Sequence, residues 1–170
     1  MIIHCSAKLK EFVGSSFLSK GVFSPSEDIW NAHLFLINRK KCIAFVHSRT
    51  RYGVVLFDLR KADVPMLRSL FEDALVMQLY RDQILGESQI NAVRKYASSI
   101  HFLPTNNDKS AIGSLNDIIF RLTYNVFEGP IDMNRAKNYA ASYMNCSPSG
   151  TLKYRIPREM MREMLDEITA

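Results

Sequence analysis

The side chains best suited to binding a ligand are concentrated in one polar stretch, residues 106–117. Amide, ammonium, hydroxyl and carboxylate groups occur together there, on Asn107, Lys109, Ser114, Asn116 and Asp117. The stretch is predicted to contain a turn and the start of a helix, where free backbone N–H groups and the helix dipole attract anions. It is therefore a candidate site for a small anionic, nucleotide-like ligand.

The same residue types also form turns and helix caps without binding anything. Ser114 and Asp117 have the S-x-x-D spacing of a capping-box variant, which predicts a helix that begins at Ser114 and is stopped by Gly129 and Pro130. We favour this structural interpretation, although capping leaves the other three polar residues of the stretch unexplained.

Positive charge is concentrated in the first third of the chain. The formal net charge is +5 and the sequence pI is ≈ 9.2, and residues 1–61 hold ten Lys or Arg against four Asp or Glu. The excess gathers at two predicted hairpin connections, on Arg39, Lys40, Lys41, Arg49 and Arg51. Such a surface is suited to a nucleic acid or an acidic protein partner. Basic hairpins also keep strand edges soluble and unpaired, and we favour that structural role.

The histidines and cysteines do not form a recognisable catalytic or metal-binding pattern. All four histidines fall in predicted strands without the spacing of metal ligands, which favours structural roles over that of a base or ligand. Cys5 and Cys42 invite a nucleophile interpretation beside a histidine, but buried inert thiols are favoured. Glycine-rich phosphate loops, nucleophile elbows and zinc-protease motifs do not occur in the sequence. We predict no cofactor and no metal.

The hydrophobic pattern predicts a single α+β domain over residues 1–170. Three runs with strand character, residues 30–38, 42–47 and 52–59, are separated by short polar connections. They predict an antiparallel meander sheet whose strands lie mid-sheet with both faces covered. Further elements are predicted as short strands at residues 2–5 and 99–103 and as helices at residues 7–13, 64–85, 88–97, 114–126, 133–144 and from 157 onward.

The last predicted helix carries an apolar stripe of Met160, Met161, Met164, Leu165 and Ile168. Methionine side chains adapt to irregular surfaces, so the stripe is suited to a partner, including a second copy of the chain. Core packing is the favoured role, and a homo-oligomer contact is the alternative.

Several short motifs occur in a fixed order over residues 1–125: Met1-Ile2-Ile3-His4-Cys5-Ser6, Trp30-x-Ala32-x-Leu34-Phe35, Asn38-Arg39-Lys40-Lys41-Cys42, Thr105-Asn106-Asn107 and Ser110-x-x-Gly113-Ser114-x-Asn116-Asp117. Together they resemble a family of small bacterial proteins of uncharacterised function. The sequence departs from that pattern with Lys109 in place of an arginine and His47 in place of an asparagine. The resemblance implies a bacterial cytoplasmic protein and carries no known activity, catalytic residue or cofactor.

The sequence supports three functional hypotheses. The leading one is a non-enzymatic binding or regulatory module whose basic hairpins contact an acidic partner such as a nucleic acid. The second is an enzyme or binding protein for a small anionic ligand at residues 106–117. The third is a protein that acts through protein–protein contacts or as a homo-oligomer. A membrane role is not expected, because no apolar run in the sequence is long enough for a membrane span or signal peptide. If the basic hairpins and the 106–117 stretch border one cleft, the first two hypotheses merge into an anion-binding site.

Overall fold

A computed structural model of the chain describes residues 1–21, 23, 28–97 and 99–169, without the side chains of residues 88, 168 and 169. In this part of the chain the main sheet has five strands in the order β4-β3-β2-β1-β5. The strands are β1 (Ile2–Cys5), β2 (Ile29–Ile37), β3 (Lys40–His47), β4 (Gly53–Leu59) and β5 (His101–Pro104).

The predicted meander is confirmed for β2, β3 and β4, which pair antiparallel. The sheet as a whole is mixed, because β1 runs parallel to both β2 and β5. Purely antiparallel pairing was therefore wrong, and so was the mid-sheet position of β4, which is an edge strand. The strand periodicity of a sequence shows which faces are buried but not the direction in which two strands pair.

Six α-helices lie in the described residues and pack around the sheet: α1 (Ala7–Val13), α2 (Leu67–Arg81), α3 (Ile90–Tyr96), α4 (Lys109–Thr123), α5 (Met133–Ser142) and α6 (Pro157–Thr169). A short hairpin of β6 (Tyr124–Asn125) and β7 (Gly129–Pro130) follows α4. The α+β class is confirmed.

Both faces of the sheet are covered, as the apolar strands predict. Helices α1, α2 and α6 contribute to a hydrophobic core on one face, and α4 and α5 contribute to a second core on the other. Met161, Met164 and Leu165 of the terminal stripe are buried in the first core. This supports the core-packing role of the stripe, whose Ile168 side chain lies outside the described side chains.

The capping-box prediction at Ser114 was wrong. Helix α4 begins five residues earlier, at Lys109, because the Asp108 carboxylate accepts hydrogen bonds from the backbone N–H groups of Ser110 and Ala111, each at 3.0 Å. Ser114 lies inside the helix, where its hydroxyl donates to the carbonyl of Ser110 at 3.2 Å. The helix ends at Thr123 because the chain then turns into the β6–β7 hairpin.

The long helix predicted after Asp63 is also shorter than expected. Residues Lys61–Met66 form a 3-10 helix containing Pro65, and regular α-helix begins at Leu67. Asp63 does not cap α2 but accepts a hydrogen bond from the backbone N–H of Arg60 at 2.7 Å. The helix ends at Arg81 because the chain turns at Asp82, which has a further structural role.

Asp82 is the centre of a buried hydrogen-bond network that joins three distant segments. The hydroxyl of Tyr52 donates to its carboxylate at 2.6 Å, and the amide of Asn145 donates to it at 3.0 Å. Gln78 donates to the other carboxylate oxygen at 3.2 Å. Asn145 also accepts from the backbone N–H of Gly53 at 2.7 Å and donates to its carbonyl at 3.0 Å. The network therefore fixes the start of β4 against the end of α2 and the loop after α5.

Burial raises the pKa of Tyr52, and the neighbouring Asp82 carboxylate raises it further. Tyr52 therefore keeps its proton and remains a donor to that carboxylate.

We expect Asn145→Ala to lower the free energy of unfolding by about 2–4 kcal/mol, because it leaves the buried backbone N–H and carbonyl of Gly53 without their Asn145 partner and removes one of the three donors to Asp82. Urea unfolding followed by circular dichroism measures this change. Asn116→Ala, at an exposed position of α4, is the matched control and should change the value by less than about 0.5 kcal/mol. Equal stability of the two variants would contradict the structural role of Asn145.

Candidate anion-binding site

The turn between β3 and β4 presents Arg51 in a fixed backbone conformation. The backbone N–H of Thr50 donates to His47 Nδ1 at 3.2 Å, and that of Tyr52 donates to the Thr50 hydroxyl at 3.3 Å. Arg51 has a φ of 56°, in the left-handed region. These buried contacts hold the turn and so determine where the Arg51 side chain begins.

His47 is a structural residue of this turn. Its Nδ1 accepts a hydrogen bond, so its proton lies on Nε2, which is 3.6 Å from Oδ1 of Asp28. Burial, together with the charges of Arg49 and Arg51, lowers the pKa of His47 to about 3. The ring is fully buried and neutral at physiological pH, which supports the structural role expected for the strand histidines over that of a general base.

A cavity of about 350 Å³ lies where the β3–β4 turn, helix α4 and the loop of residues 147–151 meet. Its polar lining includes Arg51, Ser114, Asp117, Arg121, Ser149 and Thr151. The charged side chains in this lining are two arginines and one aspartate, so the cavity carries a net positive charge.

Arg51 has hydrogen-bond donors in the cavity wall that no described residue satisfies. Its Nη2 donates to the hydroxyl of Ser110 at 2.7 Å. Its Nε and Nη1 are buried and have no hydrogen-bond partner among the described residues. Burial lowers the pKa of Arg51 and the charge of Asp108 opposes that shift, but a guanidinium stays protonated at physiological pH. A half-buried guanidinium in the wall of a positively charged cavity favours an anion beside it.

Three hydroxyl groups also line this cavity. The hydroxyls of Ser149 and Thr151 are 2.9 Å apart, and those of Thr151 and Ser114 are 3.3 Å apart. Each hydroxyl can rotate to donate to a ligand oxygen or to accept from a neighbour. The cluster can therefore adjust its protons to an anionic guest.

Arg121 supplies the second positive charge of the cavity. It forms an ion pair with Asp117 at 3.0 Å, one helical turn away on α4. Burial opposes its charge, but hydrogen bonds with Tyr139 and Asp117 outweigh that effect and raise the pKa of Arg121. The Asp117 carboxylate is thereby partly neutralised within the cavity.

The structure brings together three of the predicted site residues: Arg51 from the basic hairpins, and Ser114 and Asp117 from the polar stretch. The other three polar residues of that stretch, Asn107, Lys109 and Asn116, are exposed and do not line the cavity. The hairpin and the stretch thus border one cleft, but only through part of each.

The other basic hairpin residues point to different surroundings. Lys40 pairs with Asp58 at 2.6 Å, and Arg49 pairs with Glu167 at 2.9 Å. Lys41 lies over a phenylalanine ring at 5.7 Å from its centroid. Arg39 is exposed at the tip of the β2–β3 turn, with a φ of 65°. These four side chains lie outside the lining of the cavity.

Cavity residues that were missed from the sequence include Arg121, Tyr139, Ser149 and Thr151. The sequence Ser147-Pro148-Ser149-Gly150-Thr151 was recognised only as a loop. Its three hydroxyl residues around Pro and Gly were an available signal for a polar binding loop, but nothing in their spacing indicates which helix they face.

The thiols do not contribute to the site. Cys5 and Cys42 are buried in the two cores. Burial raises the pKa of Cys5 to about 12 and also raises the pKa of Cys42. Both remain protonated at physiological pH, as the expectation of inert thiols requires.

Comparison with known proteins places the chain in a family. The family model of a domain of unknown function, DUF6933, matches residues 2–160. The chain belongs to this family. No curated protein and no solved structure shows significant similarity to it. The resemblance to an uncharacterised family is confirmed, whereas the bacterial origin and the cytoplasmic location of this DUF6933 chain stay predictions.

A membrane-spanning helix was not expected in this DUF6933 chain. In the part of the chain that the structure describes, no helix has the length and apolar character that a bilayer span needs.

Proposed function

We propose that this DUF6933 chain binds a small phosphate-bearing ligand in the cavity between the β3–β4 turn, α4 and the 147–151 loop. The observation that carries the proposal is the half-buried guanidinium of Arg51, which lines a cavity of net positive charge and has two donors, Nε and Nη1, without a partner among the described residues. A guanidinium with unused donors is a favourable partner for an anion in the same cavity.

A phosphate group matches the donors of the cavity better than a carboxylate does. The planar guanidinium of Arg51 presents a fork that fits two phosphate oxygens. The hydroxyl groups of Ser114, Ser149 and Thr151, which line the same cavity, offer further donors for the third oxygen. The volume of about 350 Å³ is within the range of small-molecule sites.

The composition of the cavity favours binding over acid–base catalysis. Its lining includes neither a histidine nor a cysteine among the described residues, and its carboxylate, Asp117, is paired with Arg121. His101 also lies outside the lining, on β5. The groups present are suited to hold an anion, with no free base beside a nucleophile.

Pyrophosphate is a suitable probe of the proposed site. By isothermal titration calorimetry, we expect the natural chain to bind it and Arg51→Met to weaken that binding by about 10-fold or more, since a charged hydrogen-bonded contact is lost. Arg49→Met, which removes a nearby arginine outside the cavity, is the matched control and should retain the affinity. Failure of the natural chain to bind, or equal binding by Arg51→Met, would overturn the proposal.

A fold control accompanies this titration. Without ligand, Arg51→Met should keep or raise the free energy of unfolding, because it replaces a half-buried cation that has two unsatisfied donors with a shorter apolar chain. A loss of affinity at full stability then reports on the site and not on the fold.

A second candidate function is polyanion binding on the basic surface around Phe12. The side chains of Lys41 and Lys61 lie over the Phe12 ring at 5.7 and 5.6 Å from its centroid. Lys8 lines the same shallow groove. Three lysines and one glutamate, Glu11, line this groove, and its net positive charge fits a nucleic acid backbone or an acidic protein segment.

Binding to a single-stranded oligonucleotide tests this second candidate. We expect retention at about 50 mM salt that falls steeply by about 200 mM, because phosphate contacts release counterions. The double variant Lys41→Glu and Lys61→Glu should weaken binding by about 10-fold or more, while Lys153→Glu, an exposed lysine elsewhere, serves as control. Binding that ignores salt, or that survives the double variant, would contradict a role for this surface.

A further inference from the structure

A second cavity adjoins the proposed phosphate site. It has a volume of about 720 Å³ and lies between α4, the β6–β7 hairpin and α5. Asp117, Arg121 and Tyr139 line both cavities, so these three side chains form a common wall. We call the second cavity the aromatic groove, because its lining includes Phe120, Tyr124, Phe127, Tyr139 and Tyr143.

The rings of the aromatic groove are unusually open to solvent. Phe127 is 93% exposed, Tyr143 is 64% exposed, and Phe120 and Tyr124 are 48% and 42% exposed. Exposed clusters of apolar side chains are found at binding surfaces more often than elsewhere on a protein. Aromatic rings with free faces are the groups on which nucleobases stack.

The backbone presents these rings in a defined arrangement. Tyr124 and Asn125 pair with Pro130 and Gly129 across the β6–β7 hairpin. The side chain of Asn125 accepts a hydrogen bond from the backbone N–H of Phe127 at 2.9 Å, which fixes the hairpin loop. The rings of Phe120 and Tyr124 lie 5.6 Å apart between centroids. The groove therefore has a fixed hairpin backbone and one pair of aromatic rings in contact.

We propose that the ligand is a nucleotide whose phosphates lie in the Arg51 cavity and whose base stacks in the aromatic groove. This inference rests on the proposed function. It follows from the joining of a cationic, hydroxyl-lined cavity to an aromatic one through a shared wall. A nucleotide has the matching order of groups, with anionic phosphates at one end and a flat ring at the other.

The shared wall suits the sugar between those two ends. The Asp117 carboxylate can accept hydrogen bonds from ribose hydroxyls, as carboxylates do in other nucleotide sites. Arg121, beside it, can bind a phosphate oxygen or lie against the face of a base. The aromatic groove also includes Arg135, whose charge is paired with Glu128. Over both cavities the lining has three arginines and one aspartate, which favours an anionic guest.

Calorimetric titration with nucleoside diphosphates and with pyrophosphate tests the inference. We expect at least one of the four common nucleoside diphosphates to bind about 10- to 100-fold more tightly than pyrophosphate, the range that stacking of one base provides. Phe127→Ala should remove most of that advantage and leave pyrophosphate affinity unchanged. Tyr154→Ala, which removes an exposed ring outside the groove, is the matched control.

The outcomes separate this inference from the proposed function. Equal affinity for nucleotide and pyrophosphate, or no effect of Phe127→Ala on the nucleotide, overturns the nucleotide inference while pyrophosphate binding keeps the proposed function. If the natural chain binds neither ligand, the proposed function fails as well. Tighter binding of a single-stranded oligonucleotide than of any nucleoside diphosphate, lost in Phe127→Ala, overturns the inference in favour of a nucleic acid strand.

Discussion

The buried carboxylate of Asp82 is the constraint on which the geometry of the site depends. It holds Tyr52 at the start of β4 and Asn145 at the end of the α5 region, two residues far apart in the chain. Arg51 comes directly before Tyr52, and the hydroxyl-bearing loop begins two residues after Asn145. One carboxylate thus fastens together the two segments that carry Arg51 and the hydroxyl-bearing loop to the proposed phosphate cavity. A buried carboxylate is tolerated only where several donors satisfy it, and the described network supplies three.

Close packing at Gly53 adds a second restriction on the same region. A Cβ atom at this position would lie 3.1 Å from the side chain of Ile118 on α4 and 3.2 Å from the methyl group of Met144. A side chain at position 53 would therefore require Ile118 and Met144 to shift by a few tenths of an ångström. Because Ile118 and Met144 also line the phosphate cavity, this contact places the floor of the cavity directly beside the Arg51 turn.

Local features were predictable from the sequence, and long-range ones were not. Helix α1 has its predicted bounds because the Ser6 hydroxyl caps it, accepting a hydrogen bond from the backbone N–H of Leu9 at 3.3 Å. The two residues are only three positions apart, so the sequence shows this contact directly. The capping pattern at Ser114 failed because Asp108 offers a competing cap nearby, and a local pattern does not say which one the helix uses. The parallel pairing of β1 depends on strands brought together across long stretches of chain, which periodicity does not encode.

In the candidate site, too, local features were predictable from the sequence and long-range contacts were not. Arg51 and Ser114 were singled out for separate reasons, one as a basic hairpin residue and the other as a member of the polar stretch that could bind an anion or cap a helix. Their meeting in one cavity depends on contacts such as that between Asn145 and Gly53, which are 92 residues apart. Arg121 and Tyr139 had no distinguishing signal, since an arginine and a tyrosine on amphipathic helices usually face solvent or fill a surface.

The most direct test of the account is to observe the Arg51 guanidinium itself. In isotope-labelled protein, the Nε–H signal of each arginine can be followed by NMR as pyrophosphate is added. The account predicts that the Arg51 signal shifts and saturates while the signals of Arg39 and Arg49 stay in place. An unchanged Arg51 signal at saturating pyrophosphate, or a larger shift at Arg39 or Arg49, would contradict the assignment of this cavity as an anion-binding site.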